Sequence, residues 1–130
     1  MSRQDNKIRA SHLKLGELGE EIVVDFLEIT QHEILERNWR TGKAEVDIIA
    51  KTNDNTLLFI EVKTRSSKDF GPGSQSIGKR KKQLILDAAV VYSNLKNHQG
   101  ELRFDVANVF INEKEEVILE YAPDAFFDEF

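Results

Sequence analysis

The stretch Leu57-Leu58-Phe59-Ile60-Glu61-Val62-Lys63-Thr64-Arg65 constrains this chain more than any other. It opens as a continuous apolar run of residues that suit a pleated sheet, the pattern of a buried strand. It then turns charged with no turn signal between. Side chains alternate along a strand, so Glu61, Lys63 and Arg65 project from one face while Ile60, Val62 and Thr64 project from the other. A carboxylate and an ammonium two residues apart, where an apolar strand ends, point to a site.

The preceding segment strengthens this. Ala44-Glu45-Val46-Asp47-Ile48-Ile49-Ala50 also alternates, and Thr52-Asn53-Asp54-Asn55-Thr56 reads as a hairpin turn. A hairpin centred on Asp54 sets Asp47 opposite Glu61 and Glu45 opposite Lys63. Directly opposed side chains share a face, with Cβ atoms about 4.5–5.5 Å apart. Two carboxylates so placed repel. A divalent cation between them removes the conflict, since hard cations are held by carboxylate oxygens and water.

The remaining chain supplies elements around this hairpin. From His12 to about Thr30 the spacing predicts a helix, with Leu15, Leu18, Ile22, Phe26 and Ile29 on one row. Gly16, Gly19/Glu20, Val23 and Leu27 form a second row. Each glycine costs a helix interior about 1 kcal/mol relative to Ala, so two within one turn need a reason. Close packing on the sheet is one; admitting Glu20 to a site at the sheet's edge is another. A helix glutamate taken alone is more often solvated than a ligand.

Glu33 to Trp39 reads as a first strand, so that three strands in quick succession form an antiparallel meander. Ser66 to Ser74 holds Gly71, Pro72 and Gly73 and reads as a loop, either a cover for substrate or a plain connection. A second helix is expected from about Ile77 to Leu95, with Ile77, Lys81, Leu84, Ala88, Val91 and Leu95 on its inward stripe. Its first turns carry Lys79-Arg80-Lys81-Lys82. Cations there oppose the helix macrodipole, whereas anionic ligands favour that end. Most charge runs are merely solvated faces, and Lys81 stands out because its row otherwise points inward. Strands follow at Leu102–Phe110 and Glu116–Tyr121, and Asp105 is expected to pair with an arginine rather than a metal.

Composition narrows the functional classes. The length suits one domain over residues 1–130, with 1–11 and 122–130 as peripheral tails. Cysteine is absent, which removes disulfides and thiolate metal sites, and His12, His32 and His98 are too far apart for a zinc set. No apolar run spans a membrane and the N-terminus lacks a signal-peptide core, so a soluble cytoplasmic protein is expected. The net charge of −5 argues mildly against bulk electrostatic binding of nucleic acid. The charge is uneven, however: Lys63 to Lys82 is basic, and the end of the chain from Glu113 is acidic and aromatic.

The bare Glu61-Val62-Lys63 is a weak signal, but its context is specific. Gly16-Glu17-Leu18-Gly19-Glu20, Asn38-Trp39-Arg40, Glu45-Val46-Asp47, Phe59 to Arg65, Lys81 and Arg103-Phe104-Asp105-Val106 together resemble the YraN-like family of predicted nucleases. That family lies within the PD-(D/E)XK superfamily, and the resemblance covers nearly the whole chain. It implies an α/β class, three-layer α/β/α restriction-endonuclease-like fold with a mixed five-stranded sheet in order 12345 and element order αβββαββ. It also implies a relation to archaeal Holliday-junction resolvases. Val46 stands where the superfamily carries a proline, and the tail after Tyr121 has no recognised counterpart.

The function so implied is a metal-dependent endonuclease on duplex or branched DNA. Asp47 and Glu61 would hold Mg²⁺ or Mn²⁺, with Glu20 completing the site and Lys63 positioning or activating the attacking water. Arg65, Lys68, Lys79, Arg80, Lys81 and Lys82 would contact nucleic acid. A homodimer is left open. Two other readings stand beside it: a catalytically silent nucleic-acid-binding or scaffold module, and a small-molecule metal hydrolase. The opposed carboxylates disfavour the former and the basic cluster disfavours the latter.

Overall fold

The computed structural model describes residues 15–66 and 77–127. The expected helix start at His12, the loop residues 67–76 including Lys68, and the last three residues lie outside them. A helix α1 (Leu15–Ile29) leads into strands β1 (Glu33–Thr41), β2 (Ala44–Lys51) and β3 (Leu57–Ser66). Helix α2 (Lys79–Leu95), β4 (Leu102–Ile111), β5 (Val117–Ala122) and a short 3-10 helix (Ala125–Phe127) follow. The sheet runs β1-β2-β3-β4-β5. Its first three strands are antiparallel, β3 and β4 are parallel, and β5 returns antiparallel. This is the mixed, in-order sheet that the family resemblance implies.

Each helix covers one sheet face, which makes three layers. Val23, Val24 and Leu27 of α1 pack on Ile48, Leu58, Ile60, Ala107 and Val109. Ile85, Ala88, Ala89 and Tyr92 of α2 pack on Val46, Ile49, Leu57, Phe59 and Val106. The central strands β3 and β4 bury side chains on both faces, which is why their sequences read as near-continuous apolar runs.

The inward faces of both helices are rotated from the expected rows. In α1 the glycine row is the central one, and Ile29 is 80% exposed at the helix end. In α2 the buried residues are Lys82, Ile85, Ala88, Ala89 and Tyr92, while Val91 and Leu95 face out. A helix needs an apolar stripe wide enough for its contact, and neighbouring rows compete for it; the sheet decides which one is used.

Gly19 makes the close approach that its row suggested. A Cβ there would lie 1.8 Å from Thr64 Oγ1, so a larger residue would force α1 off β3. Gly16 faces open space. At the other end of the chain, the segment 122–130, expected as a peripheral tail, instead sends Phe126 into the α2-side core beside Phe104, with ring centroids 5.8 Å apart. A buried aromatic removes enough surface from water to hold a short terminal segment in place.

Candidate active site

Strands β2 and β3 pair from Lys51↔Leu57 to Ile48↔Ile60, the expected register. The next step would set Asp47 against Glu61. There the ladder stops, because Asp47 Oδ2 accepts a hydrogen bond from the Val62 N–H at 2.8 Å. A side-chain oxygen has taken the place of the backbone carbonyl that would carry the pairing onward. The expected opposition of Glu45 and Lys63 is therefore not formed; Glu45 instead pairs with Arg40 on β1 at 2.6 Å.

Alternation in β2 breaks at the same point. Val46 and Ile49, three residues apart, both belong to the α2-side core, while Ile48 and Ala50 belong to the other. On β1, Asn38 lies between Arg37 and Trp39, whose partners Ile48 and Val46 flank Asp47. Asn38 has φ of 51°, a left-handed conformation that asparagine tolerates better than most side chains. The local turn in both strands leaves Asp47 aimed along the sheet toward β3. Periodicity alone does not reveal such a break.

Glu61 projects from β3 toward α2, as alternation requires. It is only 3% exposed. One oxygen, Oε1, receives the Lys81 ammonium from the third residue of α2. The other, Oε2, is buried and has no hydrogen-bond partner. Burial, and then the neighbouring Asp47 charge, push the Glu61 carboxyl up to about 7, with Lys81 opposing the shift. Asp47 is raised too, chiefly by burial, against the Val62 N–H bond and the Lys81 charge. The two carboxyl groups are close enough to hydrogen-bond to each other once one is protonated. For Lys81, burial works to lower the pKa, but the contacts with Glu61 more than offset it, so the ammonium is held above its ordinary value.

Glu20 approaches from α1. Its carboxyl is raised by partial burial and by the Asp47 charge, and it is hydrogen-bonded to Asn38. Among the described residues, no three Asp, Glu or His side chains gather closely enough to hold a metal as they stand. The site is thus an adjacent pair, Asp47 and Glu61, with Glu20 beside Asp47. Between β2 and α2 lies a depression of about 260 Å³ lined by Lys43, Glu45, Asp47, Lys81 and Leu84 among others.

The cationic residues divide. Lys63 and Arg65 share the Glu61 face of β3 and pair in register with Asn108 and Phe110 of β4. Lys79 and Arg80 are exposed at the start of α2, whereas Lys82, three residues from that helix start, is 4% exposed and turned into the structure. Two further polar residues escaped the sequence reading. Asn108 is 1% exposed, with neither side-chain amide atom hydrogen-bonded. Tyr92 donates its hydroxyl to Glu36 at 3.1 Å, and these two help line a cavity of about 450 Å³ at the hairpin end of the sheet, away from Asp47. Nothing in the sequence pattern marks either one, since both sit on faces that otherwise read as core.

Asp105 behaves as expected. It takes two hydrogen bonds from Arg103, at 2.9 Å each, together with the Tyr121 hydroxyl and the Asp124 N–H at 2.8 Å. These bonds tie β4 to β5 and to the turn beyond it.

A mixed sheet between two helices, in this element order, defines a protein of the restriction-endonuclease-like fold, with an Asp, a Glu and a Lys placed where β2 and β3 part. The chain matches the model of the Uncharacterised protein family UPF0102 over residues 19–109 and belongs to that family. It is 42% identical over 118 residues to a UPF0102 protein of Flavobacterium psychrophilum, covering 91% of this chain and 98% of the relative. A UPF0102 protein of Flavobacterium johnsoniae is 40% identical over 122 residues, with 91% and 98% covered. One from Dictyoglomus turgidum is 40% identical over 117 residues, with 87% and 97% covered. No helix among the described residues is long and apolar enough to cross a membrane.

Proposed function

We propose that this protein is a metal-dependent phosphodiesterase acting on DNA. The observation that carries the reading is Glu61 Oε2, a buried carboxylate oxygen with no hydrogen-bond partner, beside the half-buried Asp47. A buried acceptor left unmade costs about 1–3 kcal/mol, more when charged, so its retention suits a ligand that completes it. The donors are hard oxygens. Mg²⁺ is commonly held by one or two carboxylates with water filling its other positions, so a pair of carboxylates fits Mg²⁺ or Mn²⁺ without a third.

In this reading Asp47 and Glu61 hold the cation, and Glu20 acts from behind Asp47, through Asn38 or an intervening water. A bound divalent cation would supply Lewis acidity and a nucleophile at neutral pH. Lys63, two residues along the same face from Glu61, orients the attacking water and offsets charge gathering on the phosphate. The Asp47 bond to the Val62 N–H fixes the geometry of both strands at the reacting end. Lys79 and Arg80 at the α2 start, with Arg65 on β3, hold flanking phosphates; such contacts position the backbone without reading sequence.

One observation favours a second reading, a nucleic-acid-binding module without turnover. The Lys81 ammonium meets Glu61 Oε1, an ion pair from within the chain of the kind that would keep an idle site stable. Cleavage of labelled duplex, nicked, flapped, single-stranded and four-way DNA in Mg²⁺ and Mn²⁺, with EDTA as control, separates the two. The phosphodiesterase reading expects cation-dependent products that vanish in Asp47→Asn and Lys63→Ala. Binding with no product on any substrate supports the second reading.

A further inference from the structure

Lys81 occupies an odd position for a lysine. It lies in the first turn of α2, where the macrodipole disfavours positive charge. Two more exposed cations, Lys79 and Arg80, precede it. Its ammonium nonetheless meets Glu61 Oε1, a group almost wholly buried, while about half of the Lys81 side chain stays exposed to solvent. Asp47 and Glu45 add their attraction to that of Glu61. One end of this side chain is thus held by the carboxylates, and its stem borders an open depression through which it can leave.

The pair is only partly answered. Asp47 and Glu61 when ionised carry two negative charges; the Lys81 ammonium contacts one Glu61 oxygen, and Lys63 adds its attraction to Glu61. Glu61 Oε2 remains without a partner. A dication in the same space answers both charges and occupies the orphan oxygen, and it makes an adjacent ammonium redundant and repelled. The long, unbranched lysine stem permits the ammonium to swing outward, toward the side where Lys79 and Arg80 stand.

We propose that Lys81 is an exchangeable counter-cation. Its ammonium neutralises the Asp47–Glu61 pair until a divalent cation replaces it, and the freed side chain then joins Lys79 and Arg80 on the phosphodiester backbone. This rests on the metal-dependent reading above and adds a coupling to it: metal occupancy raises affinity for the phosphate backbone through one residue. The metal-free protein keeps its site paired and presents one phosphate-binding cation fewer.

Two titrations test the exchange without any measurement of cleavage. Calorimetry with Mn²⁺ should show Lys81→Met binding about tenfold tighter than wild type, because no ammonium has to be displaced; tenfold corresponds to about 1.4 kcal/mol. Fluorescence anisotropy with a fluorescein-labelled DNA duplex should show Lys81→Met several-fold weaker than wild type in Ca²⁺ but equal to it in EDTA. Wild type that binds Mn²⁺ with Lys81→Met within twofold of it would overturn the exchange and leave the metal reading standing. An equal loss of DNA affinity with and without cation would overturn it too, by making Lys81 a permanent phosphate contact. Absence of Mn²⁺ binding to wild type would overturn the exchange together with the metal reading. Should Lys81→Met not fold, ¹⁵N spectra of the wild-type lysine ammonium groups decide, with Lys81 assigned by its absence in Lys81→Arg. Its hydrogen-bonded signal should disappear on adding Mg²⁺, and persistence at saturating Mg²⁺ would overturn the proposal.

Discussion

Glu61 is almost wholly buried beside Asp47, and both its burial and the Asp47 charge work against its ionised form. The folded Glu61 carboxyl is raised from its ordinary 4.5 to about 7. Between those values the folded chain keeps a proton that the unfolded chain has released, so raising the pH favours unfolding. The stability Glu61 contributes is complete below about pH 4.5 and is lost as pH climbs through about 7. Glu61→Gln has no such proton to lose. Urea unfolding in EDTA should show wild type falling relative to Glu61→Gln across that window, by up to about 3 kcal/mol. At Asp47 the same repulsion is tested differently. Asn keeps an oxygen for the Val62 N–H and removes the charge, so Asp47→Asn should melt at or above wild type in EDTA. A ligand that binds only the folded state stabilises by RT ln(1 + [L]/Kd), and Asp47→Asn should gain much less from millimolar Mn²⁺ than wild type. Destabilisation in EDTA with an undiminished Mn²⁺ response would show that Asp47 is no ligand.

Helix α1 carries the same substitution test twice, with opposite expected signs. Gly16 looks into open space, so Gly16→Ala should stabilise by up to about 1 kcal/mol through helix propensity alone. Gly19 meets Thr64, a β-branched side chain on β3 with little freedom to move aside. Gly19→Ala should therefore destabilise by about 1–3 kcal/mol despite its better propensity. Denaturant midpoints of the two variants settle the contrast; equal shifts would mean α1 slides on β3 at no cost. The sequence marked both glycines as needing a reason, and could not tell them apart. That distinction depends on which turn of α1 crosses β3.

At the scale of the whole molecule, the segment that follows β5 is tied back to the sheet through Asp105. Asp105, fully buried in β4, holds Arg103, the Tyr121 hydroxyl and the Asp124 N–H, and so fixes β5 and the turn beyond it. That turn delivers Phe126 to the α2-side core. Phe126→Ala should cost about 3 kcal/mol or more, as large-to-small core changes of this kind do, and should lower the melting temperature without altering any Mn²⁺ response. An unchanged melting temperature would return the segment to the status of a tail. The net charge of −5 likewise has to be read in space: acidic side chains predominate in the chain as a whole, but Lys79 and Arg80 are exposed together at the start of the helix whose Lys81 meets Glu61.

The sequence by itself determined the strands, the antiparallel run of the first three and the hairpin register of β2 on β3, while the in-order mixed sheet was what the family resemblance implied. These follow from local properties: a period of two along each strand, a turn rich in Asn and Asp, and apolar runs that only a doubly covered strand explains. It also determined the face of Glu61, because alternation in β3 is unbroken. Tertiary structure alone decided the rest. The break of alternation at Asp47 needs Asn38 on the adjacent strand, a partner that periodicity within β2 does not contain. The inward rows of both helices, and with them the burial of Lys82 and the exposure of Val91 and Leu95, were settled by where the sheet lies under each helix. The contact of Lys81 with Glu61 joins residues twenty positions apart across a parallel crossover. A pattern in sequence records the face a residue prefers; only the packed chain records what stands opposite it.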